Sequence, residues 1–294
     1  MPHVLVAGPA SWNTLVRVAT LPDAHPQTIF ATGHHDALGG TSAGKALGLA
    51  RLGIDVTLRT VLGDDDAAAR VRAALTHPRI DLRAATSPGP TERHLNLMAD
   101  DGGRLSIYLD TPGAPGPAPG AVIDALARAA VVVLDLADPS RELIPLARTA
   151  SVPVWCDIHD YDGQATFHRD FVEAADVLLV SDDRLEDVRA FLASRVAAGT
   201  RWAVCTRGAR GAVALGRDEG WIEVAAVPAG EVIDTNGAGD AFTAGMLLGH
   251  LESRPLAQCL RLGAAAGAMA VASADLVSPA MTAEAIRRLA GIDS

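Results

Sequence analysis

The chain has 294 residues with a hydrophobic fraction of 49%, enough to bury one large α/β core or two smaller ones. A formal charge of −10 and 4% aromatic content speak against a nucleic-acid surface, which needs a basic stripe and stacking platforms. No apolar run reaches the roughly 18 residues of a membrane span. The start, His3-Val4-Leu5-Val6-Ala7-Gly8, has no basic lead-in and reads as a first strand rather than a secretion signal. Cys156, Cys205 and Cys259 are few, odd in number and set in apolar surroundings. That is the pattern of buried thiols in a reducing compartment, so a cytoplasmic protein is expected. Basic residues are arginine throughout, apart from Lys45.

Apolar runs bounded by turn residues predict strands at 3–8, 54–61, 130–136, 152–157, 175–181, 201–206, 211–216 and 220–226. Helical patterns fall between them, near 40–53, 65–76, 119–129, 139–149, 182–198, 238–252, 255–273 and 281–290. This alternation predicts an α/β fold with a mostly parallel sheet covered by helices on both faces, with ligands beyond the carboxyl ends of the strands. Two stretches break the alternation: 14–35, and 91–110 with two β-like pieces around the turn Asp100-Asp101-Gly102-Gly103. Together they can form a small sheet apart from the main one. The Pro/Gly-rich run 111–120 then reads as a rigid connector.

The most informative string is Asp234-Thr235-Asn236-Gly237-Ala238-Gly239-Asp240, between a β-like run at Glu231-Val232-Ile233 and a long apolar helix. Gly237 and Gly239 permit a tight turn, so the free amides at the helix start converge on one point and favour a phosphate. Asp240 is either a plain helix cap or a carboxylate that accepts the proton of a hydroxyl attacking that phosphate. Gly39-Gly40-Thr41-Ser42-Ala43-Gly44-Lys45-Ala46 offers a second glycine motif. A P-loop reading fails twice: Ala46 stands where Mg²⁺ needs a hydroxyl, and 34–38 is not a buried strand. The other reading is a helix start at which a sugar can lie against bare backbone.

The string 234–240 resembles the DTxGAGD signature of the ribokinase-like (PfkB) sugar and nucleoside kinases. Gly39-Gly40, with Ala50-Arg51-Leu52-Gly53 closing its helix, resembles that family's first motif. Thr206-Arg207-Gly208-Ala209-Arg210-Gly211 resembles its nucleotide turn. The resemblance implies a single ribokinase-like domain over 1–294, a three-layer sandwich with lid segments inserted at about 9–38 and 88–115. It implies an ATP-dependent sugar kinase with Mg²⁺, and in some relatives K⁺. Asp240 is then the catalytic base, and the amides of Gly237, Ala238 and Gly239 form the anion hole. Asn13, Gly39, Gly40, Gly44, His94 and Asn96 line the acceptor side. Thr206, Gly208, Gly211 and Asn236 contact the nucleotide. Asp234 helps hold a monovalent cation, and Asp182 reaches Mg²⁺ through water.

Three departures from the family pattern stand out. Gly44 replaces an Asn, Asn13 replaces an Asp, and Ser181-Asp182-Asp183-Arg184 replaces Asn-x-x-Glu. Asp182 and Asp183 serve either the metal or a helix N-cap. The alternatives are a nucleoside kinase of the same family, or a member that binds but no longer transfers. An oxidoreductase is disfavoured, because Gly8-Pro9-Ala10-Ser11 is not a dinucleotide fingerprint. The expected partner is a small sugar or nucleoside, without nucleic acid or membrane, and an apolar lid face would promote a homodimer.

Overall fold

The computed structural model describes residues 2–100 and 102–292; Met1, Asp101 of the expected turn, Asp293 and Ser294 lie outside the described residues. The chain opens with β1 (His3–Ala7), β2 (Ser11–Val18), β3 (Gly33–Gly39), α1 (Thr41–Arg51), β4 (Asp55–Leu62), α2 (Asp66–Ala74) and β5 (Ile80–Thr86). It continues with β6 (Arg93–Ala99), β7 (Arg104–Asp110), α3 (Gly120–Arg128), β8 (Val131–Asp135), α4 (Asp138–Arg141), α5 (Leu143–Ala150) and β9 (Val154–Asp157). Next come α6 (Arg169–Ala174), β10 (Val177–Ser181), α7 (Val188–Ala197), β11 (Trp202–Thr206), β12 (Ala212–Gly216) and β13 (Gly220–Val224). Three helices close it: α8 (Ala238–Leu251), α9 (Leu256–Val271) and α10 (Ala283–Leu289).

Nine strands form the main sheet in the order β13-β12-β11-β10-β9-β8-β1-β4-β5, parallel except for the β11-β12-β13 meander at one edge. Strand periodicity explains why both faces are covered. Successive side chains point to opposite faces, so a run that is apolar at every position must be buried twice. Val4 and Val6 join Val131, Val133, Leu179 and Val204 in the core beneath α1, α8 and α9. Leu5 and Ala7 join Val132, Leu134, Leu178 and Ala203 in the core beneath α3, α5 and α6. The result is the helix-sheet-helix sandwich that the alternation predicts.

Four further strands form a separate sheet, β3-β2-β6-β7. The two stretches that broke the alternation therefore pair with each other, with β2 parallel to β6 and antiparallel hairpin partners outside. Residues 34–38 are part of β3 in this lid, half-buried or exposed except for Leu38, and not the buried strand that a P-loop needs.

Three local expectations are corrected. Glu231–Ile233 is not a strand; its backbone instead reaches the end of α9, where the Ile233 and Asp234 amides both donate to the carbonyl of Val271. The helix predicted over 182–198 does not begin at 182 but at Val188, as α7, because Asp187 caps it by accepting from the Ala190 amide. Asp182 and Asp183 are therefore not its caps. Strand β5 was not predicted. It pairs only with β4, at the sheet edge, so its residues alternate between half-buried and exposed and form no apolar run. No described helix is long and apolar enough to cross a membrane.

Candidate active site

Parallel strands align their carboxyl ends, and here those ends carry polar residues side by side. Register pairs Asp135 with Asp157 and Ser181 with Thr206, while Gly8 follows β1 in the same row. Helix α8 begins over this edge. Gly237 precedes it at φ 76°, a left-handed conformation in which a Cβ would meet the Leu276 carbonyl oxygen at 2.5 Å, so only glycine fits. A Cβ on Gly239 would meet nothing within 4 Å, so the space beside this residue of the first turn is open. The first-turn amides, Gly239 and Asp240 among them, have no acceptors within the helix and favour an anion there.

Asp240 sits in that first turn, 7% exposed, and its Oδ1 accepts a 2.6 Å hydrogen bond from Lys45 Nζ. Lys45 is fully buried on α1 and also lies 2.9 Å from Asp135 and 3.1 Å from Asp157. The neighbours of Lys45 are ordered in turn: Ser42 donates to Asp135 at 2.6 Å, and the His159 amide donates to Asp157. Burial pushes the Asp240 carboxyl up, Lys45 pulls it down and Asp135 pushes it up again; the balance is about 6. For Lys45, burial alone favours the neutral amine, but Asp135, Asp240 and Asp157 together hold the ammonium well above its ordinary value. Burial also raises Asp157, yet Lys45 and His159 outweigh it and leave that carboxyl below its usual range.

The glycine motif at 39–44 reaches the same place. A Cβ on Gly44 would stand 2.7 Å from Asp240 Oδ2, so this glycine is what lets the carboxylate lie against α1. Gly39 packs under the Asn13 amide, and Gly40 lies against the Pro9 carbonyl. Asn13 in turn accepts from the His94 amide through its Oδ1. Asn13, His94 and Asn96 are buried and share one face of the lid, and Asn96 Oδ1 has no partner among the described residues. One glycine motif thus meets Asn13 of the lid at Gly39 and Asp240 at Gly44.

Beside Pro9 lies a cavity of about 40 Å³ lined by Gly8, Arg59, Thr60, Glu92, Ala137 and Ser140 among others. Arg59 is buried and donates from Nη1 to the Thr60 carbonyl, whereas its Nε and Nη2, with Thr60 Oγ1 and Ser140 Oγ, have no partner among the described residues. None of Lys45, Asp135 and Arg59 was singled out as a site residue from sequence. For Lys45 a signal existed, since it is the only lysine of the chain.

The expected nucleotide residues lie farther along the edge. Thr206 ends β11, and Gly208 and Gly211 frame the turn into β12. The Asp182 amide donates to the Thr206 carbonyl, and the Asp182 carboxylate is ion-paired with Arg210 of that turn. Asp183 accepts from the Ser181 hydroxyl at 2.7 Å. Asp234 is buried and its Oδ1 accepts from the Asn236 amide, which shapes the approach to Gly237. Among the described residues no group of three or more His, Cys, Asp or Glu side chains is placed so that it could hold a metal ion.

Comparison with known proteins identifies the family of the chain. The model of the pfkB family of carbohydrate kinases matches residues 13–283. The chain is 35% identical over 292 residues to acarbose 7(IV)-phosphotransferase from Actinoplanes sp., covering 98% of this chain and 96% of that protein. It is 28% identical over 300 residues to an ATP-dependent ribose-1-phosphate kinase from Halopiger xanaduensis, covering 97% of each. Among solved structures, the microbiome-derived acarbose kinase Mak1 has a TM-score of 0.86 at 28% identity, covering 99% of both chains. Arabidopsis thaliana ribokinase complexed with ribose and ATP has a TM-score of 0.81 at 22% identity over 99% of both chains, a likeness of fold. The chain belongs to the pfkB family of carbohydrate kinases and is a phosphotransferase whose acceptor is an alcohol group.

Proposed function

We propose that this kinase transfers the γ-phosphoryl group of ATP to a hydroxymethyl group of a sugar, with Asp240 as general base. The carrying observation is a buried carboxylate in the first turn of α8, beside the open space at Gly239 and against Gly44. The acceptor oxygen forms the new bond to phosphorus, ADP leaves with the β–γ bridging oxygen, and Asp240 Oδ2 takes the hydroxyl proton. The amides of Gly237, Ala238 and Gly239 stabilise charge on the transferring group. Thr206, Gly208, Gly211 and Asn236 hold the nucleotide. Mg²⁺ bound with the nucleotide would neutralise charge on its phosphates, and Asp182 would be the residue to hold it through water. Asp182 can reach it only by leaving Arg210, and Asp234 is the candidate for a monovalent cation.

A sugar is favoured over a nucleoside because the acceptor end is polar and its aromatic rings are partly engaged. Arg59, Thr60 and Ser140 carry unpartnered donors and acceptors that hydroxyls satisfy. The Arg70 guanidinium lies over Trp12, and His94 and Tyr108 meet in a tilted contact, so one face of the Trp12 ring and the His94 side of Tyr108 are already engaged. The relatives named for acarbose support the same choice. A relative named cytidine kinase, 26% identical, keeps the nucleoside reading in the test.

The test is ATP consumption against ribose, fructose, acarbose, adenosine and cytidine, with the phosphate position read by NMR. Turnover of a sugar is expected, and Asp240→Ala should lower it by about 10²–10⁴-fold, the usual worth of a general base. Activity within a few-fold of the parent removes Asp240 from that role. Thermal stabilisation by these ligands without turnover supports the binding-only reading instead.

A further inference from the structure

Of the 25 lysine and arginine side chains of this kinase, all are arginine except the one that touches the base. The difference is functional in its geometry. A guanidinium is a flat fork that matches one carboxylate, whereas an ammonium has three N–H groups that rotate to serve separate acceptors. Lys45 meets three carboxylates from three elements: Asp135 at the end of β8, Asp157 at the end of β9 and Asp240 in α8, at 2.9, 3.1 and 2.6 Å. Lys45 holds only one oxygen of Asp240; among the described residues the other, Oδ2, accepts no hydrogen bond and stands over Gly44.

We propose that Lys45 is a positioning residue for phosphoryl transfer: its ammonium, hydrogen-bonded to Asp240 and held between Asp135 and Asp157 by close ion pairs, aims Asp240 Oδ2 at the acceptor hydroxyl and sets the pH above which Asp240 is ionised. This rests on Asp240 as the base. One ammonium against three buried carboxylates leaves an excess of negative charge, so the cluster favours taking up a proton, while Lys45 keeps Asp240 from holding one at neutral pH. When the acceptor proton arrives on Oδ2, Asp135 and Asp157 remain to balance the ammonium.

Other charged or titratable groups facing the cluster are few. His159 lies 3.5 Å from Asp157, and Cys156 of β9 is a buried thiol raised by burial and by Asp135 and Asp157. Asp234 is turned to the Asn236 amide, and Cys259 of α9 packs at Gly249, the far end of α8. The balance around Asp240 is therefore set by Lys45 from one side and Asp135 and Asp157 from the other.

Opposite changes in that balance must move Asp240 in opposite directions. In the full chain labelled with ¹³C-aspartate, the Asp240 carboxyl signal, assigned by its loss in Asp240→Asn, is titrated in the parent, Lys45→Met and Asp135→Asn. Its midpoint should rise by about one pH unit or more in Lys45→Met, since an opposite charge in contact is worth about one to three units, and fall measurably in Asp135→Asn. The acid limb of kcat, measured with the best acceptor of the sugar and nucleoside panel, should follow both. Turnover of Lys45→Met should recover at alkaline pH, whereas a merely structural lysine lowers kcat at every pH and leaves the limb in place. Midpoints that stay put, or move the same way, overturn the proposal. Should Lys45→Met fail to fold by circular dichroism, Asp135→Asn decides alone, and an unmoved or raised midpoint overturns it. Should Asp240→Ala remain active, the reading of Asp240 fails first; should it be inactive while the midpoints do not move, only the role of Lys45 fails.

Discussion

At Gly44 a single hydrogen atom in place of a side chain decides where the base sits. The family pattern has an Asn there, and a chain carrying Gly44 looks, from sequence, like one that has lost an acceptor contact. In the folded chain Asp240 occupies the space instead, held from the next residue along by Lys45. Gly44→Ala should therefore act as a displacement of the base. Its Cβ would stand 2.7 Å from Oδ2 and 3.0 Å from the Asp240 Cβ, closer than packed atoms allow, and Asp240 cannot swing away without leaving Lys45. A displacement of about 1 Å in a reacting group costs about 10²-fold, so kcat should drop by that order while KM for ATP changes little. Steady-state kinetics check this, and an unchanged kcat shows that the carboxylate tolerates the methyl. The rejection of the P-loop remains sound, since Ala46 offers no hydroxyl to a metal. What sequence could not reveal is the set of partners of Lys45, because Asp135, Asp157 and Asp240 are far apart in the chain and meet only at the sheet edge.

Between elements, one carboxylate ties the main sheet to the lid. Asp65 caps α2 by accepting from the Ala68 amide, and the same side chain accepts from the Thr91 amide and hydroxyl just before β6. Burial pushes this carboxyl up, but the Thr91 and Ala68 amides and the Thr91 hydroxyl hold it below its ordinary range. Asp65→Ala should cost about 1 kcal/mol, the usual worth of an N-cap, and loosen the approach to the lid. A depressed carboxyl gives stability that is present above its unfolded value and lost as pH falls through the folded one. The gap in melting temperature between parent and variant should therefore close on acidification below about pH 3.9. A gap that persists there assigns the loss to something other than the ionised cap. Elements of this kind were legible wherever one residue carries a local signal, as in the apolar strands of the main sheet. They were not where the partner is distant. Val232 and Ile233 are β-branched and read as a strand, yet both are exposed, and the backbone there meets the Val271 carbonyl and the Arg17 side chain rather than a neighbouring strand. β5 hid for the reverse reason, an edge strand whose alternation is too weak to stand out.

Over the whole molecule, the sheet that is covered and the sheet that is not differ in what they demand. The main sheet has helices on both faces and satisfies its own apolar surface. The lid has one face turned to the acceptor site and ends in β7, where Leu105, Ile107 and Leu109 are exposed while Tyr108 lies against His94 on the acceptor face. An edge strand with a row of apolar side chains and unpaired backbone groups invites another strand, and in a soluble monomer such a patch is unusual. A second copy of the chain, paired through the lids, is the occupant that this edge predicts. Sedimentation of the parent at micromolar concentration should show a dimer, and Ile107→Lys should shift it to monomer, because a charge at the centre of the row must be buried unpaired for the dimer to persist. Ile107 lies outside the residues placed at the acceptor and nucleotide sites, so the monomer should still bind ATP. A parent that sediments as a monomer at every concentration refutes the pairing and leaves β7 an unprotected edge.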